Sequence, residues 1–390
     1  MKIAMIGQKG LPAIYGGVEA HVHELSVGLV QHGHDVTAYG RAWYTQGKSD
    51  PVDGVTIQLI PTLHTKHLDT IVHTFLSTIH AIKQGFDVIH YHGVGPALLS
   101  WIPRIFAPGT KVIATFHSID RYHQKWGIFA RLALRLGEWT VCHFPHRTIT
   151  VSKGLKQYCL NEFSADTLYI PNGVNVKTKT PSEIPLTEFH LEKNKYLVMV
   201  SRLVPHKGAH VLIEAFNRLK QEHAHEPMVK DLKLAIVGGS VYTDEYVAAL
   251  HQLAGVTNNI IFTGFQSGDS LASLYAHAKL LVHPSLNEGL PMTVLAAMSY
   301  GTPVLLSHIP EHMELVTDPR CLFPENDVTS LKNKLHQWLQ LNDEEHQAIS
   351  VANKETIERQ YEWNTIIPST VQVYSSDIDL SAATVKSSVS

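Results

Sequence analysis

The stretch HPSLNEGLPMTVLAAMSYGTPV, residues 283–304, contains the order of elements that determines the fold. It begins at the end of an apolar run, passes through a turn that carries the carboxylate of Glu288, and continues in a helical pattern that Gly301 can end. A second apolar run starts at Val304. The order strand, turn, helix, strand is the repeating unit of a parallel sheet, so this stretch predicts an α/β domain.

The same alternation extends over most of the chain. Between the first two apolar runs, four residues recur at helical spacing before Gly33, namely Val18, Val22, Leu25 and Leu29. In the first half, the predicted strands are Lys2–Ile6, Val36–Tyr39, Val55–Ile60, Val88–Tyr91, Val112–Phe116, Thr148–Val151 and Leu168–Ile170. In the second half they are Leu197–Ser201, Leu234–Val237, Ile260–Thr263, Leu280–His283 and Val304–Leu306, and helical segments separate them.

A turn cluster at residues 171–175 and an aperiodic segment at 176–195 interrupt the alternation, which indicates a domain boundary. We therefore predict two doubly wound, Rossmann-like domains, residues 1–175 and 176–357. A return of the chain to the first domain is expected at about 358–375, and the Ser-rich tail 376–390 is expected to be disordered. Because ligands of open α/β sheets bind at the carboxyl ends of the strands, we expect the two domains to face each other across a cleft.

Composition excludes several classes of function. Lys and Arg total 32 against 35 for Asp and Glu, a net charge of −3, which does not favour a nucleic-acid partner. The three cysteines are widely spaced and odd in number, which indicates a reducing cytoplasm rather than a disulfide framework. The 26 histidines include no spaced ligand pair, so we predict no metal site. No apolar stretch reaches the roughly 18 residues of a membrane span, and the N-terminal apolar run is too short for a signal peptide.

Two loops that follow predicted strands carry groups suited to anions. Gly16 and Gly17 precede the first helix, where backbone N–H groups can approach an anion. The spacing is not GxGxxG, so it does not favour a nicotinamide or flavin cofactor. Arg202 and Lys207 follow a strand and can reach a diphosphate, which would replace a metal ion. The alternatives are a turn that needs glycine only for its backbone geometry and a solvated basic loop.

Together these motifs resemble the retaining nucleotide-sugar glycosyltransferases of family 4, which have the GT-B fold. The resemblance is carried, in the expected order, by the Gly16-Gly17 loop, Thr115-Phe116-His117, Pro171-Asn172-Gly173-Val174, Arg202 with Lys207, and residues 283–304. Residues 6–19 are also similar to bacterial rhamnosyltransferase-type members of the family. The resemblance implies metal-independent transfer of a sugar from a nucleoside diphosphate sugar to a saccharide or lipid-linked acceptor in polysaccharide or glycolipid biosynthesis, without a cofactor.

The resemblance also implies roles for individual residues. Arg202 and Lys207 would neutralise the donor diphosphate. Glu288, the first glutamate of an E-x7-E motif, would lie near the donor sugar and the developing oxocarbenium charge. His117 would face the anomeric centre. The backbone N–H groups that open the next helix would bind the sugar and phosphates, in the segment Gly289, Leu290, Pro291, Met292 and Thr293.

Ala296 departs from the family pattern, because it stands where the second glutamate of the motif would hydrogen-bond the nucleotide ribose. Three interpretations are open. Another residue binds the ribose, the ribose is held less tightly, or the nucleoside is a deoxyribonucleoside, as in a dTDP-sugar. Because of this departure, an alternative function for the chain is that of a catalytically reduced subunit that binds a nucleotide sugar. A sugar-nucleotide epimerase of the same fold is a further alternative.

Residues 121–136 contain an apolar stripe at helical spacing, formed by Trp126, Phe129, Leu132, Ala133 and Leu136. Lys125, Arg131 and Arg135 lie off that stripe. A basic amphipathic helix of this kind can rest on an anionic membrane, which would place a cytoplasmic enzyme on the inner face of the membrane. The alternative, which we favour from the sequence, is a helix packed on its own domain.

Overall fold

The computed structural model describes residues 1–62, 68–119, 121, 128–255 and 259–376, with the backbone only at 128–130. It divides the chain into two compact units. Unit 1 comprises Met1–Asn172 and Trp363–Ser390, and unit 2 comprises Gly173–Glu362. The boundary predicted from the sequence after residue 175 and the return predicted near residue 358 lie within a few residues of these limits. The tail predicted to be disordered lies, from residue 377 onward, outside the described residues.

Unit 1 contains a parallel sheet of seven strands in the order β3-β2-β1-β4-β5-β6-β7. Its central strands are buried on both faces, which is why they appear in the sequence as nearly continuous apolar runs. The strands are β1 Lys2–Ile6, β2 Asp35–Gly40, β3 Thr56–Leu59, β4 Val88–His92, β5 Lys111–Phe116, β6 Arg147–Thr150 and β7 Leu168–Tyr169.

The helices of unit 1 are α1 Gly17–Gln31, α2 Ala42–Thr45, α3 Asp69–Gln84, α4 Val94–Ala97, α5 Trp101–Phe106, α6 Ile128–His143, α7 Lys153–Phe163 and α17 Trp363–Ser375. Ser152 begins α7 because its hydroxyl accepts the Leu155 N–H at 3.1 Å. Helix α17 packs against α1, and Ile366 and Ile367 join Leu25 in one apolar cluster with the sheet. The last described helix therefore completes the core of unit 1.

Unit 2 contains a parallel sheet of six strands in the order β10-β9-β8-β11-β12-β13. The strands are β8 Tyr196–Val200, β9 Lys233–Val237, β10 Ile260–Gly264, β11 Leu280–His283, β12 Val304–Ser307 and β13 Leu322–Phe323. The sequence did not predict β13, which is only two residues long. The prediction of two doubly wound α/β sheets is confirmed.

The helices of unit 2 are α8 Ile184–Glu188, α9 Ala209–His223, α10 Pro227–Lys230, α11 Asp244–Ala254, α12 Gly268–Ala276, α13 Met292–Ser299, α14 Pro310–Met313, α15 Val328–Leu339 and α16 Asp343–Thr356. A π-helical segment, Ile357–Tyr361, follows α16. Helix α15 packs on α9 and buries Leu331, Leu335 and Trp338 in the core. In the part of the chain that the structure describes, no helix has both the length and the apolar content needed to cross a bilayer.

The first six strands of unit 1 and the six strands of unit 2 follow the same order in their sheets. In each sheet the first strand lies at the switch point, between two strands whose connecting helices run to opposite faces. Loops meet closely at the carboxyl end of this switch point, and glycine permits the approach. A Cβ atom on Gly7, which has φ +127°, would lie 2.4 Å from the carbonyl oxygen of His92. A Cβ atom on Gly208, which has φ +73°, would lie 2.2 Å from that of Pro284. These two places are where ligands of such sheets bind.

Candidate active site

In unit 2, the loop after β8 is bonded to the loop after β11. The Leu286 N–H donates to the carbonyl oxygen of His206 at 2.8 Å. The Ser285 hydroxyl donates to the same oxygen at 3.3 Å. These bonds place Lys207, predicted to bind a diphosphate, beside Glu288, predicted to lie near the donor sugar.

Lys207, His283 and Glu288 form a buried cluster. The Lys207 ammonium forms a short ion pair with Glu288 Oε1, and His283 Nε2–H donates to the same oxygen at 2.7 Å. The side chain of Glu288 is only 8% exposed and that of His283 only 1%. Burial alone would raise the pKa of Glu288, but Lys207 and the His283 N–H outweigh it and hold that pKa well below its usual range. Glu288 is therefore an anion with two fixed partners.

His283 was not among the predicted site residues, although the sequence contained a signal for it. It is the last residue of a predicted strand, and the carboxyl end of such a strand is where site residues collect. Arg202, in contrast to Lys207, is exposed and forms no ion pair with any described side chain. Binding of a diphosphate by Arg202 and Lys207 stays a prediction.

Helix α13 directs its N-terminus to the same region. Its first backbone hydrogen bonds run from the N–H groups of Val294 and Leu295 to the carbonyl oxygen of Pro291. The N–H groups of Met292 and Thr293 precede these bonds and form the positive end of the helix, as the sequence predicted. Gly289 and Leu290, which lead into the helix, are buried.

Two further side chains at this edge of the sheet were missed from the sequence. Glu311 lies in the first turn of α14, the helix that follows β12, and burial, together with the charges of Glu288 and Glu314, raises its pKa to about 7. His312 is fully buried, its Nδ1–H donates to the carbonyl oxygen of Ser307 at 2.8 Å, and burial lowers its pKa to about 3. The available signal was the pair Pro310-Glu311 just beyond a predicted strand. Ala296, in the second turn of α13, is half-buried and presents only a methyl group.

In unit 1, the glycine loop carries a carboxylate of its own. Glu19 turns back over the start of α1 and accepts the Lys9 N–H at 3.2 Å. A Cβ atom on Gly16, which has φ +105°, would lie 1.8 Å from Glu19 Oε2, so only glycine fits there. The N-terminus of α1 at Gly17 thus already faces a negative group. Anion binding at Gly16 and Gly17 stays a prediction.

His117 lies among buried histidines at the carboxyl ends of β4 and β5. His92 Nδ1 and His117 Nε2 are 3.2 Å apart, and the rings of His21 and His117 lie 4.9 Å apart between centroids. Burial, and then the neighbouring histidines, lower the pKa of His92 and His117 well below the usual range. Burial also lowers the pKa of His21 to about 4. These imidazoles are neutral at physiological pH.

His90 connects this cluster to the last helix. Its Nδ1 hydrogen-bonds the Tyr374 hydroxyl at 2.6 Å, and its Nε2 hydrogen-bonds Thr115 Oγ1 at 2.7 Å. Burial lowers the pKa of His90 to about 3. Sequence reasoning identified only His117 of these four histidines. His90 and His92 flank the end of a predicted strand, which was the signal for their position.

Three groups among the described residues bring potential metal ligands within 4.8 Å of one another: His21, His92 and His117; His283, Glu288 and His312; and His223, Glu226 and His336. In the second group the Lys207 ammonium already contacts Glu288. In the third, Glu226 accepts hydrogen bonds from His223 at 2.7 Å and His336 at 2.8 Å. The hydrogen bonds to Glu226 account for the third group, and the expectation that the protein needs no metal or cofactor stays a prediction.

Two family models match nearly adjacent parts of the chain: Glycosyltransferase Family 4 at residues 15–178 and Glycosyl transferases group 1 at residues 184–355. An uncharacterised glycosyltransferase of Methanocaldococcus jannaschii is 27% identical, over 96% of this chain and 98% of that protein. The phosphatidyl-myo-inositol mannosyltransferase of Mycobacterium leprae is 24% identical over 96% of each. The crystal structure of the Anabaena protein HepE in complex with UDP and glucose matches with a TM-score of 0.75 and 21% identity, over 96% of this chain and 99% of that one.

Proposed function

Because the chain belongs to glycosyltransferase family 4 and has the GT-B fold, it is a glycosyltransferase, and we propose that it is a retaining, metal-independent one. It moves a sugar from a nucleoside diphosphate sugar to an acceptor hydroxyl in polysaccharide or glycolipid biosynthesis. The observation that carries this proposal is the buried contact of Lys207 and His283 with Glu288 in unit 2.

Unit 2 supplies the charges that a departing nucleoside diphosphate requires. Lys207 is a point charge next to Glu288, and the N-terminus of α13 adds a second positive site. Arg202, whose planar guanidinium can contact two phosphate oxygens at once, adds a third. In metal-dependent transferases a divalent cation neutralises the diphosphate. Positive groups of the protein in that position support a reaction without a metal ion.

The proposed reaction breaks the bond between the anomeric carbon and the diphosphate oxygen and forms a bond from the acceptor oxygen on the same face of the sugar. The acceptor proton moves to an oxygen of the departing diphosphate. The anionic Glu288 carboxylate stabilises the positive charge that develops on the sugar ring, because it is already ionised and held in place. Retention of the anomeric configuration follows from attack on that face.

Unit 1 supplies neutral groups. His117 has its pKa well below the usual range, so it contributes hydrogen bonds to sugar hydroxyls rather than positive charge. The relative from Mycobacterium leprae is named for a phosphatidylinositol acceptor, which supports a lipid-linked acceptor for this chain as well. We place the enzyme in the cytoplasm, at the inner face of the membrane, with contact through residues 121–136.

Glu311 supports the first of the three interpretations of Ala296. Its carboxyl group lies at the same edge of the sheet as Glu288 and, with a pKa of about 7, can both donate and accept hydrogen bonds near neutral pH. In this proposal Glu311 binds hydroxyl groups of the donor that the missing glutamate would otherwise bind.

Calorimetry of UDP, GDP, ADP and dTDP binding, each with and without EDTA, tests the donor site. We expect one nucleotide to bind equally with and without EDTA, binding to be lost in Lys207→Ala, and binding to persist in the control Lys195→Ala. Lys195 lies in unit 2 in an exposed ion pair with Glu192. EDTA-sensitive binding would contradict metal independence, and no binding of any nucleotide would contradict the donor site.

The stereochemistry is tested separately by NMR of the product. The anomeric proton coupling should match that of the donor sugar, and an inverted product would contradict the retaining mechanism. Preferred binding of dTDP would support the deoxyribonucleoside interpretation of Ala296 over the role given to Glu311.

A further inference from the structure

Three histidines of unit 1 come from three separate elements and meet at the carboxyl edge of its sheet. His21 lies on α1, His92 ends β4, and His117 follows β5. Each offers one ring nitrogen, and the three nitrogens lie within 4.8 Å of one another. His92 and His117 are 25 residues apart in the chain, and His21 is farther away, so the sequence contains no ligand spacing that would indicate this group.

The hydrogen bonds of these histidines do not account for all of their ring nitrogens. His92 Nε2 contacts the sulfur of Met5 at 3.4 Å, and its Nδ1 faces His117. His21 hydrogen-bonds the side chain of Asn172, but its buried Nδ1 atom has no hydrogen-bond partner among the described residues. A buried polar atom without a partner is costly, and one explanation for such an atom is a bound ion.

Burial keeps the three imidazoles in the form that a metal ion binds. It lowers the pKa of His21 to about 4 and the pKa values of His92 and His117 well below the usual range. Each ring is therefore neutral at physiological pH and keeps one nitrogen lone pair. A metal ion would not have to compete with protons for these lone pairs.

The distance between two of the nitrogens fits a four-coordinate ion. His92 Nδ1 and His117 Nε2 are 3.2 Å apart. Two nitrogens that bind a tetrahedral zinc ion at about 2.0–2.1 Å are separated by about 3.3 Å. An ion bound by both would take the place of the proton that one of them donates to the other.

The ligand set selects a class of metal. The group contains three imidazoles and no carboxylate, which suits zinc and similar transition metals, whereas calcium and magnesium require oxygen ligands. Zinc held by three histidines keeps a fourth position open for water, and that water ionises near neutral pH. The resulting hydroxide offsets part of the buried charge. His21 and His117 retain 5% and 8% exposure, which leaves a route for a small ion.

We propose that His21, His92 and His117 bind one Zn²⁺ ion, and that the bound ion inhibits sugar transfer because His117 then contacts zinc instead of sugar hydroxyls. Zinc binding is inferred from the geometry of unit 1 alone. The inhibition rests on the proposed function, and in particular on the role given to His117. The site is thus a regulatory site in an enzyme whose reaction requires no metal.

Cobalt(II) is the probe for this site, because it occupies zinc sites and absorbs visible light strongly when it is four-coordinate. We expect the full chain, freed of metal by EDTA and dialysis, to give this absorption with one equivalent of Co²⁺, and Zn²⁺ to abolish it. Addition of Zn²⁺ should slow hydrogen exchange in the peptides that contain His92 and His117, and not in α9 or α15. This second measurement locates the ion without any substitution.

Matched variants distinguish this group from the histidine group of unit 2. His92→Gln and, separately, His21→Gln each remove one ligand. Each should weaken Zn²⁺ binding at least about 100-fold, because even the partners that orient ligands contribute about 10- to 100-fold. The double variant His223→Ala, His336→Ala removes the group on α9 and α15 and should keep both the cobalt absorption and its displacement. Circular dichroism and nucleotide binding check that each variant is folded.

Absence of the cobalt absorption and of zinc-dependent protection at β4 and β5 would overturn the proposal. Absorption that survives His92→Gln and His21→Gln but is lost in His223→Ala, His336→Ala would assign the ion to unit 2 and overturn it as well. Transfer should fall in proportion to zinc occupancy and recover with EDTA, and full activity of the zinc-loaded protein would refute the inhibition. A chain that binds Co²⁺ at this site but no nucleotide would contradict the donor site and support the metal site, so the two failures are distinguishable.

Discussion

The two units place different chemistry at the same point of the same sheet. In unit 2, the edge beyond β8, β11 and β12 carries a lysine, a glutamate and a histidine that share one buried ion pair. In unit 1, the corresponding edge beyond β1, β4 and β5 carries four buried imidazoles, whose pKa values are all lowered. The strand order determines where a site lies, and the side chains alone determine whether it is charged or neutral.

Low pH should have the largest effect on this difference between the units, because acid protonates the buried imidazoles of unit 1 and destabilises that unit. The unfolded chain takes up protons at histidine below about pH 6.5, whereas folded His21 and His90 do so only near pH 4 and pH 3. Their contribution to stability is therefore complete above pH 6.5 and is lost as the pH falls from there toward 3, by about 1.4 kcal/mol per histidine and pH unit.

In the site of unit 2, burial lowers the pKa of one imidazole in the same way, that of His312, against four in unit 1. Glu288 behaves differently, since its lowered pKa keeps its contribution intact down to about pH 4.5. We therefore expect unit 1 to open at higher pH than unit 2. Hydrogen exchange measured by mass spectrometry between pH 7 and pH 5 would show loss of protection at β4 and β5 before β8 and β11. Earlier opening of unit 2 would contradict this prediction.

The largest effect on catalysis should come from Lys207→Ala. The variant loses a cation at the diphosphate and leaves Glu288 buried with His283 as its remaining partner, so we expect kcat to fall about 1000-fold. Steady-state transfer with the donor identified by calorimetry measures it, with Lys195→Ala as the control. A variant that retains most of its activity would contradict the role of Lys207.

The variant His117→Ala tests the proposed role of the neutral histidine cluster in unit 1. We expect a loss of about 100-fold in kcat, and we expect the parent enzyme to show no ionisation of this residue near pH 6.5, because its pKa lies well below the usual value for histidine. The exposed His225→Ala serves as the control. An ionisation near pH 6.5 that disappears in His117→Ala would show that this imidazole titrates normally.

The smallest expected effect is that of substituting Ala296. In Ala296→Glu a carboxylate returns to the second turn of α13, and we expect UDP to gain about tenfold in affinity relative to dTDP, the value of one charged hydrogen bond to a hydroxyl. Ala296→Met adds similar bulk without an acceptor and should leave that ratio unchanged. Equal gains for both nucleotides would mean that the ribose hydroxyl is not involved.

Sequence patterns predicted elements whose signal is local. Strands such as Leu280–His283 were predicted within a residue of their limits, because buried parallel strands are continuous apolar runs. Strand β13, Leu322–Phe323, was missed because two residues show no period. Family resemblance also implied roles for Lys207 and Glu288 individually.

Contacts between distant segments could not be predicted in the same way. Lys207 and Glu288 are 81 residues apart, and their ion pair depends on β8 and β11 being neighbours in the sheet. His21, His92 and His117 meet for the same reason in unit 1. The predicted helix at 121–136 is described only in part: Lys125 and Trp126 lie outside the described residues, and Arg135 is engaged with Glu138 and Glu162.

The chain leaves unit 1 after Asn172 and re-enters it at Trp363, and this order has a consequence for synthesis on the ribosome. All of unit 2 has been translated before α17, whereas unit 1 still lacks Ile366, Ile367 and the Tyr374 hydroxyl that binds His90. The unit that emerges first is therefore the one completed last. A nascent chain halted at residue 362 would contain all of unit 2 and an unfinished histidine cluster, so the core of unit 1 is completed only after α17 has been translated.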